Sequence, residues 1–162
     1  MTVAFISARA RRAGVALGAV SAGLLVLSAC DKPTPIATVT IGTDSVHSEA
    51  ACYQDGKSLG SQPTLQKCLN DSPGKTVSVS LDDPIHFGVD PSIAHNGWTF
   101  YVEGQRAEAQ PNKDTYRTIQ AGQFFASQTG TPVRAVNLSI VETSDKEKAV
   151  VGVWNFELKQ KS

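Results

Sequence analysis

The amino-acid sequence predicts an all-β domain, either an antiparallel immunoglobulin-like sandwich with one disulfide or, alternatively, a small β-barrel. Three observations support this fold class. Apolar and polar residues alternate with a period of two in several segments, which is typical of strands that bury one face. Turn-forming residues separate those segments, and no stretch sustains a helical period. Finally, two cysteines follow residue 30, and they can pair with each other.

Each predicted strand is identified by a set of apolar residues that share one face. In chain order these inward-facing residues are Ala37, Val39 and Ile41, then Val77, Val79 and Leu81, then Trp98, Phe100 and Val102, then Val136, Leu138 and Ile140, and finally Val150, Trp154, Phe156 and Leu158. Both tryptophans therefore fall on predicted inner faces. Between the first two strands, residues 63–70 allow one or two helical turns.

The last two strands form the clearest local feature. A charged turn over residues 144–148 joins two long predicted strands, 133–143 and 149–158, into a hairpin. Seven or so short strands without intervening helices favour a sandwich over residues 36–162. A small β-barrel remains the alternative fold, because periodicity does not report whether a sheet closes on itself.

The first 29 residues have the features of a secretory signal peptide. Arg9, Arg11 and Arg12 carry the only charges before a run of thirteen uncharged, mostly apolar residues from Val15 to Leu27. A membrane-spanning helix needs about 20 apolar residues, so this run is short for a permanent anchor. The adjacent arginines leave twin-arginine export open beside general secretion.

The signal is followed by Leu27-Ser28-Ala29-Cys30, which resembles the lipobox of bacterial lipoproteins. The resemblance implies lipidation of Cys30, a short tether over residues 30–35 and a position on the outer face of the cytoplasmic membrane. Two acyl chains on one cysteine give a stable anchor. Together with the paired cysteines, the Trp-bearing strand and the C-terminal hairpin, the pattern is similar to small lipoproteins of uncharacterised function from high-GC Gram-positive bacteria. The alternative is an ordinary thiol at Cys30.

The charge balance limits the classes of partner. The full chain carries 15 basic and 15 acidic residues. Removal of the signal takes away three arginines and leaves 12 basic against 15 acidic residues, a formal charge of −3. No basic footprint for nucleic acid remains, and the covalent lipid, rather than attraction to anionic lipid, would hold the protein at the membrane.

Cys52 and Cys68 remain once Cys30 is lipidated, and in an exported protein they are expected to form a disulfide. The loop between them spans 16 positions and is rich in Gly and Ser and poor in hydrophobic residues. A crosslink of this length stabilises a fold by about 3 kcal/mol in the chain-entropy interpretation. A catalytic or metal-binding pair is the alternative, but the spacing matches neither a redox motif nor a zinc knuckle.

Candidate metal ligands are few. His86, His95 and Asp90 are ordinary ligands for copper or zinc, and a metal-handling lipoprotein is therefore the alternative function. Their spacing lacks the close pairing of strong metal motifs, and the acidic residues also suit turns beside Pro84 and Pro91. The sequence contains no H-E-x-x-H motif, and it predicts no cofactor.

Surface recognition is the function that the sequence favours. Tyr101, Tyr116 and the pair Phe124-Phe125 lie outside the clearest inward positions, and exposed aromatic residues are enriched at binding surfaces. The alternative is that these aromatic residues pack under loops. The predicted loop tips are residues 95–97 and 128–131. We therefore expect a non-enzymatic, membrane-anchored module that binds an envelope protein or polymer, with an enzyme of unknown class as a third possibility.

Overall fold

Two β-sheets form the fold in the computed structural model, which describes residues 33–126, 133–146 and 148–161. In chain order the strands are β1 (Ala37–Ile41), β2 (Asp44–Ser48), β3 (Cys52–Tyr53), β4 (Lys75–Val79), β5 (Pro84–Val89), β6 (Trp98–Val102), β7 (Gln105–Arg106), β8 (Tyr116–Gln120), β9 (Ala135–Ser144) and β10 (Ala149–Gln160). Two helices, α1 (Gln62–Leu69) and α2 (Pro91–Asn96), and a 3-10 turn (Ala121–Gln123) connect them.

The strands divide into a four-stranded sheet and a six-stranded sheet. The four-stranded sheet has the order β2-β1-β5-β8, and the six-stranded sheet has the order β3-β10-β9-β6-β7 with β4 beside β10. All of these pairings are antiparallel except that of β4 with β10, which is parallel. The predicted C-terminal hairpin is confirmed as β9 and β10, and the predicted helical turns are confirmed as α1.

The main core lies between the inner faces of the two sheets. Val39, Ile85 and Phe87 from one sheet pack in one cluster with the large residues of the other. The Phe87 and Phe100 rings meet edge to face with their centroids 4.6 Å apart. The predicted fold class, an all-β sandwich with one disulfide, is therefore confirmed, and the sheets do not close into the alternative barrel.

A second, smaller core covers the outer face of the six-stranded sheet. Leu65 and Leu69 on α1 pack with Val141 of β9 and Val153 of β10. Because α1 lies across this face, the centre of the six-stranded sheet is buried on both sides. The outer face of the four-stranded sheet has no such layer among the described residues.

The structure corrects two of the predicted inward positions. Strand β4 ends at Val79, and Leu81 beyond it is 47% exposed. A β-bulge between Val150 and Gly152 shifts the register of β10. The shift places Val150 with the outer cluster, whereas Trp154 faces the main core.

Other predictions concern the loops. Phe124 and Phe125, for which the sequence leaves surface exposure and packing under loops both open, are buried in the main core beside the 3-10 turn. His95 and Asn96, expected at a loop tip, belong to α2. The predicted loop tip at residues 128–131 lies outside the described residues.

The predicted signal peptide and Cys30 also lie outside the described residues. The fold begins close to where the tether was expected to end. Pro35 is buried, and its carbonyl oxygen accepts a 2.9 Å hydrogen bond from Trp154 Nε1. In the described part of the chain, no helix is both long and apolar enough to cross a membrane.

Candidate functional site

The outer face of the four-stranded sheet presents ten residues to solvent, and we call this surface the polar sheet face. Its members are Thr38 and Thr40 of β1, Ser45 and His47 of β2, Pro84, His86 and Gly88 of β5, and Tyr116, Thr118 and Gln120 of β8. They share one face because successive strand residues point to opposite sides. All are exposed or half-buried, whereas the alternate residues in β1 and β5 are buried.

The strand register arranges these residues in rows across the sheet. Thr38 pairs with His47 on one side and with Gly88 on the other, and Gly88 pairs with Tyr116. The next row runs from Ser45 through Thr40 and His86 to Thr118. Directly opposed residues lie about 5 Å apart in an antiparallel sheet, so the rows form a continuous polar surface.

The polar sheet face contains no Asp, Glu, Lys or Arg, although the chain has 15 acidic and 15 basic residues. Its polar groups are hydroxyls, imidazoles and a carboxamide, which both donate and accept hydrogen bonds. Solvated sheet faces usually carry charged side chains. This surface is therefore suited to a neutral, hydroxyl-rich partner.

A hydrogen-bond array organises the centre of this face. His86 Nδ1 lies 2.5 Å from the Tyr116 hydroxyl and 2.9 Å from Thr118 Oγ1. The His86 and Tyr116 rings stack with centroids 5.6 Å apart and an interplanar angle of 17°. On the neighbouring strands, the Thr40 and Ser45 hydroxyls are 2.9 Å apart. Tyr116 remains 56% exposed, so the array fixes a ring that is still available to a partner.

Gly88 leaves a gap beside this ring. A Cβ atom at position 88 would meet only Thr38 Cβ, at 3.9 Å, so close packing does not require glycine there. Its effect is to remove a side chain between Thr38 and Tyr116.

The predicted disulfide is present between Cys52 of β3 and Cys68 of α1, with an S–S distance of 2.02 Å. It ties the helix that covers the six-stranded sheet to an edge strand of that sheet. The bond also closes the 16-position loop between the two cysteines, which lowers the conformational entropy of the unfolded chain.

The three candidate metal ligands lie apart in the fold. His86 is in β5, His95 is exposed in α2, and the Asp90 carboxylate precedes α2 and accepts a 2.9 Å hydrogen bond from the backbone N–H of Ile36. Within residues 33–126, 133–146 and 148–161, no group of three or more His, Cys, Asp or Glu side chains is positioned to hold a metal ion.

Of the aromatic residues singled out in the sequence, Tyr116 alone belongs to the polar sheet face. Tyr101 is half-buried on the outer side of the six-stranded sheet, where it packs against the smaller core. Phe124 and Phe125 are buried. The polar sheet face therefore includes one aromatic residue from the original set.

Sequence reasoning missed most of the polar sheet face because β2, β5 and β8 were not among the predicted strands. The signal for β5 is visible in hindsight, since Ile85, Phe87 and Val89 alternate with polar or small residues. Strand β8 holds a single aliphatic residue, Ile119, which is too weak a pattern. The juxtaposition of His86 with Tyr116 depends on their register, which alternation within one strand does not specify.

Glu142 is a buried carboxyl group away from this surface. It lies in β9 between Trp98 of β6 and Gly152 of β10, and it is 1% exposed. Asn96 Nδ2 donates a 2.6 Å hydrogen bond to Glu142 Oε1, whereas Oε2 has no partner among the described residues. Burial raises the pKa of Glu142, and burial together with the Glu142 charge raises the pKa of Tyr53.

No protein-family model matches the chain, and no curated protein matches it. Among solved structures, the chain is similar to the fibronectin(III)-like modules of CbhA from Clostridium thermocellum, at 12% sequence identity and a TM-score of 0.36. This similarity covers 57% of the present chain and 95% of the other chain.

Proposed function

We propose that this protein is a lipid-anchored, non-enzymatic binding module on the outer face of the cytoplasmic membrane, and that its polar sheet face binds a neutral polysaccharide of the cell envelope. The observation that carries the proposal is the absence of Asp, Glu, Lys and Arg from ten neighbouring outward positions that include an ordered, exposed tyrosine. The lipobox at residues 27–30 supports the location.

The chemistry of a neutral sugar chain matches this surface. Sugar hydroxyls both donate and accept hydrogen bonds, as do the hydroxyls and imidazoles of the polar sheet face. The C–H face of a sugar ring is apolar and packs on an aromatic ring, here Tyr116. An open sheet without a deep cleft suits an extended polymer better than a small molecule, which is usually enclosed in a pocket.

A charged polymer is a poorer match. A carboxylate or phosphate on this surface would lose hydration without meeting a cation, since none belongs to the polar sheet face. The same holds for a cationic polymer, which would meet no carboxylate. A folded protein is the alternative partner, and the co-sedimentation experiment distinguishes it from a polysaccharide.

The binding experiment is co-sedimentation of the full chain with insoluble neutral polysaccharide purified from the envelope. Tyr116→Ala is expected to weaken binding about tenfold, which corresponds to about 1.4 kcal/mol. Tyr116→Phe keeps the ring, loses the hydrogen bond to His86 and is expected to have a smaller effect. Leu81→Ala is the matched control, because Leu81 is an exposed apolar residue outside this face.

Equal binding by wild type and Tyr116→Ala would contradict the assignment of this face. Loss of sedimentation after protease treatment of the polymer fraction would indicate a protein partner instead. Turnover of the polysaccharide would contradict a non-enzymatic role.

The anchor has a separate test. Mass spectrometry of the membrane fraction is expected to show a mature chain that starts at Cys30 and carries diacylglycerol. Cys30→Ser should abolish that mass. A mature N-terminus elsewhere, with Cys30 unmodified, would contradict the lipid anchor and leave the sheet face unaffected.

A further inference from the structure

A groove of about 310 Å³ lies on the outer side of the six-stranded sheet, away from the polar sheet face. We call it the hairpin groove because one wall is the base of the β9–β10 hairpin. It is lined by Leu59, Gly60, Ser61, Gln62, Leu65, Tyr101, Arg106, Thr143, Lys148, Ala149 and Val150. Its volume falls within the range of small-ligand sites, which is roughly 300–1,000 Å³.

Ordered elements hold the walls of the hairpin groove in place. On one side Tyr101 of β6 pairs with Arg106 of β7. On the other, the backbone N–H of Leu59 donates a 2.8 Å hydrogen bond to the carbonyl oxygen of Val150 in β10. Leu65 belongs to α1, which the disulfide fastens to the sheet. The groove is therefore formed before any ligand binds, which reduces the entropic cost of binding.

The lining combines an apolar surface with positive charge. Leu59, Leu65 and Val150 supply the apolar part. Arg106 and Lys148 supply two cations, and no acidic residue lines the groove in the described part of the chain. Arg106 Nη2 donates one hydrogen bond, 3.0 Å long, to the carbonyl oxygen of Ala109. A guanidinium has five N–H donors, so this contact orients Arg106 and leaves donors for an anion.

We infer that the hairpin groove binds a small amphiphilic anion, in which a phosphate or carboxylate group is attached to an apolar body. The acid group would lie between Arg106 and Lys148, where charge-assisted hydrogen bonds are strongest. The apolar body would pack against Tyr101, Leu59 and Leu65. This inference does not depend on the polysaccharide proposal, because the two surfaces lie on different sheets and share no residue.

The test uses phenyl phosphate as the probe and the full chain in a neutral detergent, with affinity measured by calorimetry. Benzyl alcohol, which has a similar ring and no charge, is expected to bind at least about tenfold more weakly. The double variant Arg106→Gln, Lys148→Gln is expected to weaken phenyl phosphate binding by about tenfold or more. Lys67→Gln removes an exposed cation of α1 outside the lining and should leave the affinity unchanged.

A second variant separates loss of charge from loss of fold. Ala149 also lines the groove. Ala149→Phe is expected to fill the groove, and it should abolish phenyl phosphate binding while the thermal unfolding midpoint stays close to that of the wild type. Absence of phenyl phosphate binding to wild type, or equal affinity of wild type and the double variant, would overturn the inference.

An amphiphilic anion of this kind has two sources: the headgroup region of a lipid, or a soluble organic acid. Phosphatidylglycerol added to the detergent micelles is expected to compete with phenyl phosphate if a lipid headgroup is the natural occupant. Phosphatidylcholine serves as the neutral control. Binding of phenyl phosphate without such competition assigns the groove to a soluble organic anion.

Discussion

At the scale of single residues, Glu142 combines an ionisable side chain with a buried position. Alternation along β9 places it on the same inner face as Leu138 and Ile140, in the main core. One carboxylate oxygen has the Asn96 amide as its partner, and the other has none among the described residues. An ionised carboxylate with an unsatisfied oxygen destabilises the folded state.

This environment predicts the pH dependence of stability. In the unfolded chain the Glu142 carboxyl titrates near its ordinary pKa of 4.5, and burial raises that pKa in the folded state. The folded protein therefore holds the proton more tightly than the unfolded chain. The resulting stability is fully present below the unfolded pKa and is lost as the pH rises through the folded pKa.

Glu142→Gln should remove this loss of folding stability at higher pH. The amide keeps an oxygen that accepts the hydrogen bond from Asn96, and it carries no charge. We expect the free energy of unfolding at pH 7 to rise by about 1 kcal/mol, with the difference from wild type shrinking as the pH falls towards 4.5. Urea denaturation at a series of pH values measures this difference in the free energy of unfolding.

Glu49→Gln is the control, because Glu49 is exposed. It should change stability little at any pH. A Glu142→Gln variant that is less stable than wild type at pH 7 would show that the charge is needed, for example through a partner outside the described residues.

At the scale of secondary-structure elements, the β9–β10 hairpin is shaped by one close contact. A Cβ atom at Gly152 would lie 2.5 Å from Trp154 Cη2, 2.7 Å from Trp154 Cζ3 and 3.1 Å from Glu142 Oε2. The β-bulge at Val150 and Gly152 brings the Trp154 ring over the backbone of its own strand. Glycine is required here because it lacks a side chain.

Gly152→Ala is expected to destabilise the fold by about 2 kcal/mol, because Trp154 must move within a closely packed core. Gly88→Ala is the matched strand control, since its Cβ would meet only Thr38 Cβ at 3.9 Å. It should change stability by less than about 0.5 kcal/mol. Thermal unfolding of both variants measures the contrast, and equal effects would contradict the steric argument.

The same elements show how far the sequence predicts the fold. Alternation identified the inner faces of β1, β6 and β9, because a buried strand face must be apolar. It misplaced Val150, since a β-bulge changes the parity of a strand without a change in composition. It also could not place Phe124 and Phe125, whose burial depends on the path of the 3-10 turn.

The candidate site was less predictable than the core for a related reason. Thr38 and Thr40 were already assigned outward positions by the pattern of β1. Their relation to His86 and Tyr116 depends on three strand registers, which pair residues far apart in the chain. The hairpin groove depends on long-range packing of α1 against the hairpin, for which local sequence carries no signal.

At the scale of the whole molecule, the two sheets present different outer surfaces. Helix α1 and the Cys52–Cys68 disulfide cover the six-stranded sheet and form the hairpin groove, which carries two cations. The outer face of the four-stranded sheet is open and uncharged. The molecule thus has one outer surface that carries Arg106 and Lys148 and one that contains no Asp, Glu, Lys or Arg.

This difference between the two surfaces predicts that salt weakens binding at the hairpin groove and has little effect on binding at the polar sheet face. The Debye length falls from about 10 Å at 0.1 M to about 3 Å at 1 M, so attraction between Arg106, Lys148 and a phosphate is screened. We expect phenyl phosphate affinity to fall several-fold between these concentrations of sodium chloride. Polysaccharide binding should stay within about twofold, because the polar sheet face contains no Asp, Glu, Lys or Arg.

Variants assign each response to its own surface. In Tyr116→Ala the salt-sensitive binding of phenyl phosphate should persist, and in the Arg106→Gln, Lys148→Gln variant the salt-insensitive binding of polysaccharide should persist. Polysaccharide binding that falls steeply with salt would show that cations outside the polar sheet face dominate it. The partner would then be an anionic polymer, and recognition would belong to the hairpin groove rather than to the four-stranded sheet.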